Sequence, residues 1–479
     1  MREMRLPLAL ASLLAAFAST AAANDTNYQN YIVGERALGL GGAFTALADD
    51  ASGAFYNPAG LALVPTTSLS ASLSVYGIEK HRRERGYRPA TVDEPIDLES
   101  SEVATLPTTV ALVRKFGQKL RDGVSRHAIG LSTYMPYATS FHADRVIEGR
   151  GSHERYQVSE SDKTIWTGPV YALRLTPRLS IGVATFYSYR TVRNRWRRAI
   201  EHESALDPDL SADVEIEEDV AEWGSGDLFG GAGARFDASD AWSLGVSLTT
   251  PAAHVHGSGR LADETTIAFA DSPVLSYTPV ENTGLETRNE YPWGGRAGVA
   301  YSVPGHWLVA GDLSVHGPAT FSPIVVPDDL EPRAVVANHV ATVRREAVVN
   351  GNVGGEYYLA GFIPVRAGAF TNFSSAPDVK ASPDERALAH VDMYGVTTSV
   401  GYVTGDYDVS FGVVYSFGSG TAYAWSQATQ QFEPSPTRSD LVYFYITGAQ
   451  KALHRVAKRV AGQRENKPPA APSKPPEGP

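Results

Sequence analysis

The stretch 407-YDVSFGVVYSF-417 decides the fold class. Tyr407, Val409, Phe411, Val413, Tyr415 and Phe417 fall on one face of an extended chain, and Asp408, Ser410, Gly412 and Ser416 on the other. Val414 alone breaks the rule. Successive side chains of a strand point to opposite sides, so one face is apolar and the other small or polar. Strands in soluble sandwiches run to about 5–6 residues. This one suits a tilted strand crossing a bilayer, which takes about 9–11.

The alternation recurs along the chain. In 242-WSLGVSLT-249, Trp242, Leu244, Val246 and Leu248 alternate with Ser243, Gly245 and Ser247. In 179-LSIGVATFYSY-189, Leu179, Ile181, Val183, Tyr187 and Tyr189 share a face. About fourteen such segments start near residues 67, 105, 126, 163, 179, 225, 241, 288, 306, 347, 362, 391, 406 and 438. The connections between them alternate in length. Residues 79–104, 138–162, 191–224, 258–287, 318–346, 374–390 and 418–438 are long; 117–125, 176–178, 237–240, 304–305, 360–361 and 404–405 are short. Long outer loops and short periplasmic turns are the rhythm of an outer-membrane barrel. A soluble sandwich gives its loops no reason to alternate, and no repeat of about forty residues marks propeller blades. The expectation is therefore all-β: a 14-stranded antiparallel transmembrane β-barrel. Tyr134, Tyr137, Tyr187, Tyr189, Trp242, Trp307, Tyr357, Tyr358, Tyr402, Tyr407, Tyr443 and Tyr445 near strand ends are read as interface girdles.

The rest of the composition fits export. Arg2 and Arg5 precede an apolar core from Leu6 to Phe17, and Ala21-Ala22-Ala23 offers a cleavage site, so residues 1–23 read as a signal peptide. Beyond it no run of about eighteen apolar residues would make a membrane helix. The chain has no cysteine, which excludes thiol nucleophiles, Cys-ligated zinc and iron–sulfur clusters. Lys plus Arg number 42 against 53 Asp plus Glu, a balance that argues against general nucleic-acid binding.

Before the first strand lies 34-GERALGLGGAFTALADDASGAFYNPAGLALV-64. A dinucleotide loop needs G-x-G-x-x-G, but Gly39 and Gly41 are followed by Phe44 at the third place, in a chain without α/β order. Small residues permit close backbone packing, and Asp49, Asp50, Ser52, Asn57 and Pro58 are turn formers. The segment reads as an N-terminal hatch, residues 24–65, plugging the lumen of a barrel at 66–450.

At this point the sequence resembles the FadL-type outer-membrane transporters of long-chain fatty acids and aromatic hydrocarbons. The likeness begins in 36-RALGLGGAFTALADDASGAFYNPAGLA-62, with its Ala-Asp-Asp-Ala stretch and Asn-Pro-Ala motif. It continues in 131-LSTYMPYATSF-141 and 171-YALRLTPRLSIGVATFY-187, then in 363-IPVRAGAFTNFSSAPDV-379 and 391-VDMYGVTTSVGYVTGDYDVSFGVVYSF-417. It implies fourteen strands behind a hatch and passive uptake of a hydrophobic small molecule, without enzymatic activity or cofactor. Capture by outer loops, an apolar lumen pocket and hatch-gated lateral release at a kinked third strand complete the implied route. Carried onto this chain, the hatch and gate residues are Asp49, Asp50, Asn57, Pro58 and Ala59, and the lateral-opening candidate is Pro136. Trp196 and Trp223, in a loop read as a helical excursion with Leu206, Leu210, Val214 and Val220 on one side, are the capture candidates. The implied partners are the cargo, outer-membrane lipid and lipopolysaccharide, and the barrel-assembly machinery. The same hatch motif occurs in barrels that attend protein secretion, so a structural or secretion-linked platform is the alternative.

Two features stand apart. His254 and His256 share a strand face but lack a third metal ligand, and no G-x-S-x-G elbow marks a hydrolase. Residues 451–479 form a basic, then Pro-rich periplasmic tail, which puts both termini of this multi-pass outer-membrane protein in the periplasm.

Overall fold

The computed structural model describes residues 26–451, except 65–66, 90–91, 150, 204–210, 270–271, 326, 328–341, 381–387, 405–406, 428 and 430. The signal peptide, the tail beyond residue 451, Leu206 and Leu210 lie outside the described residues. The strands are β1 (Ser68–Arg88), β2 (Ile96–Lys119), β3 (Ser125–Gly149), β4 (Ser152–Arg174), β5 (Leu179–Glu203), β6 (Ser211–Asp237), β7 (Trp242–Thr249), β8 (Ala253–Phe269) and β9 (Ser272–Leu285). There follow β10 (Gly294–Val303), β11 (Trp307–His316), β12 (Ala319–Phe321), β13 (Val343–Arg345), β14 (Val348–Leu359), β15 (Ile363–Asn372), β16 (His390–Val403), β17 (Tyr407–Ser426) and β18 (Gln431–Lys451).

Sixteen strands form one sheet in the order β5-β4-β3-β2-β1-β18-β17-β16-β15-β14-β11-β10-β7-β6-β8-β9, and pairing of β5 with β6 closes it into a ring. A closed ring satisfies its backbone groups and leaves no edge, as lipid requires, whereas β8 and β9 branch from β6 outside that closure. β6 is shared between two neighbours. β7 holds its lower part, from Asp237 to Gly231, and β8 its upper part, from Leu228 to Val214. β12 and β13 make a separate two-stranded sheet. The segments read from the sequence are thus fewer than the strands, because 258–287 and 318–346, both taken as loops, contain strands.

The face assignments follow the alternation. Trp242, Leu244, Val246 and Leu248 are exposed, at 46–66%, while Ser247 between them is buried. Phe411 and Phe417 point out, and Ser410 and Ser416 point in. Val414 points inward too, into the core that fills the lumen, which is why it breaks the pattern. An outward apolar belt circles the sheet. At its short-turn end Trp242, Tyr301 and Trp307 touch in series, with ring centroids 4.9 and 5.3 Å apart. Tyr134, Tyr137, Tyr443 and Tyr445, placed in the girdles by sequence, are buried inside instead.

Most of the long loops are strand. β5 runs 25 residues and β6 runs 27, against 8 for β7, so the wall is tall on one side. Above the belt the alternation persists with charge outside: Arg193, Arg195 and Arg197 face out, and Trp196 and Arg198 face in. The helical excursion expected around Val214 and Val220 is replaced by a β5–β6 ladder that includes Arg195–Val220 and Glu201–Val214. Period-two spacing is a strand signal whatever the outer side chains are, and the exposed ion pairs Arg195–Glu218 and Arg260–Glu281, both 2.7 Å, line this upper wall.

Candidate functional site: the N-terminal segment, the β2–β3 seam and the lumen cavity

Residues 26–64 carry only a short helix (Glu35–Gly39) and two 3-10 turns (Gly53–Phe55 and Pro58–Leu63), yet nearly all are buried. Their backbone is satisfied by the inner wall. The Phe44 and Thr45 amides donate to one Asp312 carboxylate oxygen at 2.7 and 2.8 Å, Gly41 N–H donates to Thr397, and Asn352 donates to Gly41 O. Gly41 and Gly42 adopt positive φ, open to glycine at little cost. Where the segment touches the wall, the wall has glycine. A Cβ on Gly368 would lie 2.3 Å from Gly41 N, one on Gly245 2.2 Å from Thr45 O, and one on Gly182 2.4 Å from the Pro58 carbonyl carbon.

The sequence-predicted residues of this segment act locally. Asn57 caps the second 3-10 turn: its Oδ1 accepts from Ala59 N–H at 3.1 Å, while its Nδ2 donates to Thr45 O and to Ala234 O on β6. Pro58 opens that turn, where a missing amide hydrogen costs nothing. Asp50 accepts from the Ser52 amide at 2.8 Å and hydroxyl at 2.5 Å, and burial still pushes its carboxyl up to about 6. Asp49 pairs with Arg36, which also reaches Glu356 on β14; Glu356 in turn holds Arg366 on β15. Sequence reasoning missed Arg36, Glu356, Arg366 and Asp312. No local pattern marks a partner some three hundred residues away.

Among the described residues the wall has a seam between β2 and β3. β2 and β3 pair from Lys119–Ser125 up to Thr109–Tyr134, and there the ladder ends among the described residues. On either side pairing continues far higher, to Tyr87–Ile96 for β1–β2 and to Gly149–Ser152 for β3–β4. The register explains the stop. Carried two rungs past Thr109–Tyr134, it sets Pro107 opposite Pro136, and neither proline has an amide hydrogen. A β3 irregularity between Tyr134 and Tyr137 accompanies it. Higher up, side chains take over the bridging: the His142 amide donates to Ser100 Oγ at 2.9 Å, and Arg145 reaches Asp97 O at 3.1 Å. The freed Pro136 carbonyl accepts from the Tyr31 amide of the N-terminal segment at 3.1 Å. Pro136 was legible alone; Pro107 became meaningful only once the register was known. The seam starts beside Ile165 of β4, an exposed residue of the apolar belt.

Behind the seam and above the segment lies a lumen cavity with about 830 Å³ of empty space, part of it open to solvent. Asn27 and Asn30 floor it, Thr139 and Phe141 of β3 face it, and Phe370, Met393 and Leu441 supply an apolar side.

Trp196 and Trp223 are both buried on the inner face but do not share a groove. Trp196 packs edge-on to Tyr156 in an aromatic cluster with Tyr87 and Phe141, while Trp223 sits with Val192, Leu261 and Ile324 beneath the Arg190 guanidinium. His254 and His256 part company at a bulge. The first bonds Asp227 and Ser225, the second the Tyr187 hydroxyl. Ser225 and Asp227 meet the same His254 nitrogen, so these three do not form the serine–histidine–carboxylate relay, which uses both ring nitrogens.

No protein-family model and no curated protein matches the chain. Solved structures do. A Pseudomonas aeruginosa FadL homologue aligns at TM-score 0.57 and 12% identity, over 91% of this chain and 100% of that one. The P. putida toluene transporter TodX aligns at TM-score 0.54 and 11% identity, over 91% of this chain and 99% of that one. Identity this low speaks for the fold, and the fold is FadL-type.

Proposed function

We propose that this FadL-type barrel is an outer-membrane passive transporter of hydrophobic small molecules. The observation that carries the reading is the seam. A β-barrel wall is ordinarily continuous, and here the β2–β3 ladder ends two rungs short of the level at which its register would set Pro107 opposite Pro136, beside the apolar belt, with a lumen cavity behind. An apolar molecule gains little by crossing water, so a side passage between lipid and lumen suits it. The Pro136 carbonyl is held by the Tyr31 amide, which links the N-terminal segment to the seam; in this reading the segment is a hatch, and its shift frees the seam for lateral exchange. The neighbours support the same class of cargo, one being called a FadL homologue and the other a toluene transporter. The bilayer-crossing wall is then the fourteen strands that remain when β8, held to the upper part of β6, and β9, held to β8, are set aside. Asp49, Asp50, Asn57, Pro58 and Ala59 serve as hatch residues. Trp196 and Trp223, buried in separate clusters, line the outer lumen rather than a shared capture groove. Insertion would use the barrel-assembly machinery and place the outward arginines of β5 among lipopolysaccharide head groups.

The chain has no cysteine, which makes the test clean. Glu102→Cys with Ser140→Cys places two thiols across the seam, where the native side chains meet. Uptake of a radiolabelled hydrocarbon into cells should fall when a short bismaleimide joins them and stay unchanged in either single variant. Full uptake through a fully cross-linked seam would rule out lateral exchange.

A further inference from the structure

The lumen cavity has a charge pattern that discriminates between cargoes. Its charged lining consists of Glu79, Glu160, Arg83 and His81 among the described residues. Arg83 forks onto Glu160, with Nη1–Oε1 at 3.2 Å and Nη2–Oε2 at 2.7 Å, and its guanidinium carbon lies 3.9 Å from the Phe141 ring centroid. His81 Nε2 meets Glu79 Oε1 at 2.7 Å, and Thr139 donates to the same oxygen. Each basic group already has a carboxylate partner, so among the described residues the lining offers an incoming anion no free cation.

The Arg83–Glu160 pair is also deep, with side chains 11% and 2% exposed, so solvent screens it little. An incoming carboxylate would have to break a bidentate fork and lie close to two like charges. A neutral polar end meets neither obstacle. Ser416 and Ser439 line the same cavity on the adjacent strands β17 and β18, and neither hydroxyl has a hydrogen-bond partner among the described residues. They lie beside Met393 on β16 and Leu441 on β18, which with Phe370 form the apolar side.

We propose that this cavity accepts an uncharged single-chain amphiphile, a hydrocarbon chain ending in a neutral hydroxyl or carbonyl, and rejects the carboxylate of the same length. The polar end bonds Ser416 and Ser439, and the chain lies against the apolar side. The proposal rests on the transport reading, because it takes the cavity as part of the cargo's path.

The test is calorimetric titration of the detergent-solubilised full-length protein at pH 7.5 with 1-dodecanol and with dodecanoate. The alcohol should bind at least about tenfold more tightly. Glu160→Gln releases Arg83 and should strengthen dodecanoate about tenfold while leaving the alcohol within about threefold. Ser416→Ala with Ser439→Ala should weaken the alcohol alone, a readout that stands even where the charge variant fails to fold. Equal or tighter dodecanoate binding by the unaltered protein overturns the proposal and leaves the transport reading intact. Binding of neither ligand overturns the proposal, while hydrocarbon uptake decides the transport reading separately.

Discussion

Replacing Glu356 with Gln should release the N-terminal segment from the wall. The carboxylate accepts from Arg36 Nη2 at 2.7 Å and Nε at 3.2 Å on the segment, and from Arg366 Nε at 2.6 Å on β15. The Glu356 side chain is 0% exposed and Arg366 1%. Without the charge, Arg366 keeps Ser410 Oγ at 2.8 Å, and Arg36 keeps Asp49. Removing one member of a buried ion pair costs about 3–5 kcal/mol, and a Gln carbonyl still accepts one hydrogen bond, so the lower end, about 3 kcal/mol, applies. Water reaches Arg366 when the segment withdraws, so the cost falls on the docked state. That corresponds to an increase of about a hundredfold in the open population. Asp49→Asn is the contrast. Its side chain is 38% exposed, and such pairs are worth about 1 kcal/mol or less, at most about fivefold. Hydrogen exchange at the Leu38 and Leu40 amides, which bond Gly34 O and Ala37 O, reads the difference in detergent micelles. Amides of the β10–β11 ladder serve as the control. Similar acceleration in both variants, or equal acceleration of the β10–β11 amides, would refute the reasoning.

Gly368→Ala puts a methyl 2.3 Å from Gly41 N and should leave a folded barrel with an undocked segment, whereas Gly351→Ala meets nothing nearer than a Leu313 methyl at 3.8 Å and should be silent; limited proteolysis of the segment separates them. The raised Asp50 carboxyl favours the protonated form when folded. Its contribution to docking is therefore complete below the ordinary value of 3.8 and is lost as pH rises through about 6, so segment exchange, corrected for intrinsic rates, should be slower at pH 5 than at 7.5, and Asp50→Asn should reduce the difference, Glu35 of the same segment, also raised by burial, carrying the rest. Val246→Arg, on an exposed belt position, should cost about 2–4 kcal/mol in a lipid-bilayer unfolding titration, and an effect under about 1 kcal/mol would argue against a belt immersed in lipid.

How much of this was legible in the sequence depended on where the information is stored. Faces were legible, because Trp242 to Leu248 repeat a two-residue rule that needs no partner. The outer wall was misread as loop, because Arg193, Arg195 and Arg197 keep the spacing but replace apolar outer residues with charge. Tyr134 and Tyr443 were sent to the girdle for lack of any local sign that the lumen is itself filled by an apolar core. The Asn57-Pro58-Ala59 turn was legible as a turn, while its seat against Gly182 and Ala234 required the closed ring. Pro136 announced a weak point, but the weakness is a property of two prolines in one register.

The glycines that face the N-terminal segment bear on how the molecule is made. At that level the wall contributes bare backbone, and the segment contributes the side chains, Leu38, Leu40, Phe44 and Leu61, that any other small fold would grow inward from its own sheet. The segment also precedes β1 in the chain, and β1 closes the ring against β18, the last described strand. A ring shut around an empty lumen would lack its core, and the segment would then have to enter past the Trp196 aromatic cluster or through the turn end. Core formation and ring closure are therefore one event, completed when β18 pairs with β1 around the segment already in place. Contacts such as Asn352 with Gly41, 311 residues apart, make this a slow step of high contact order.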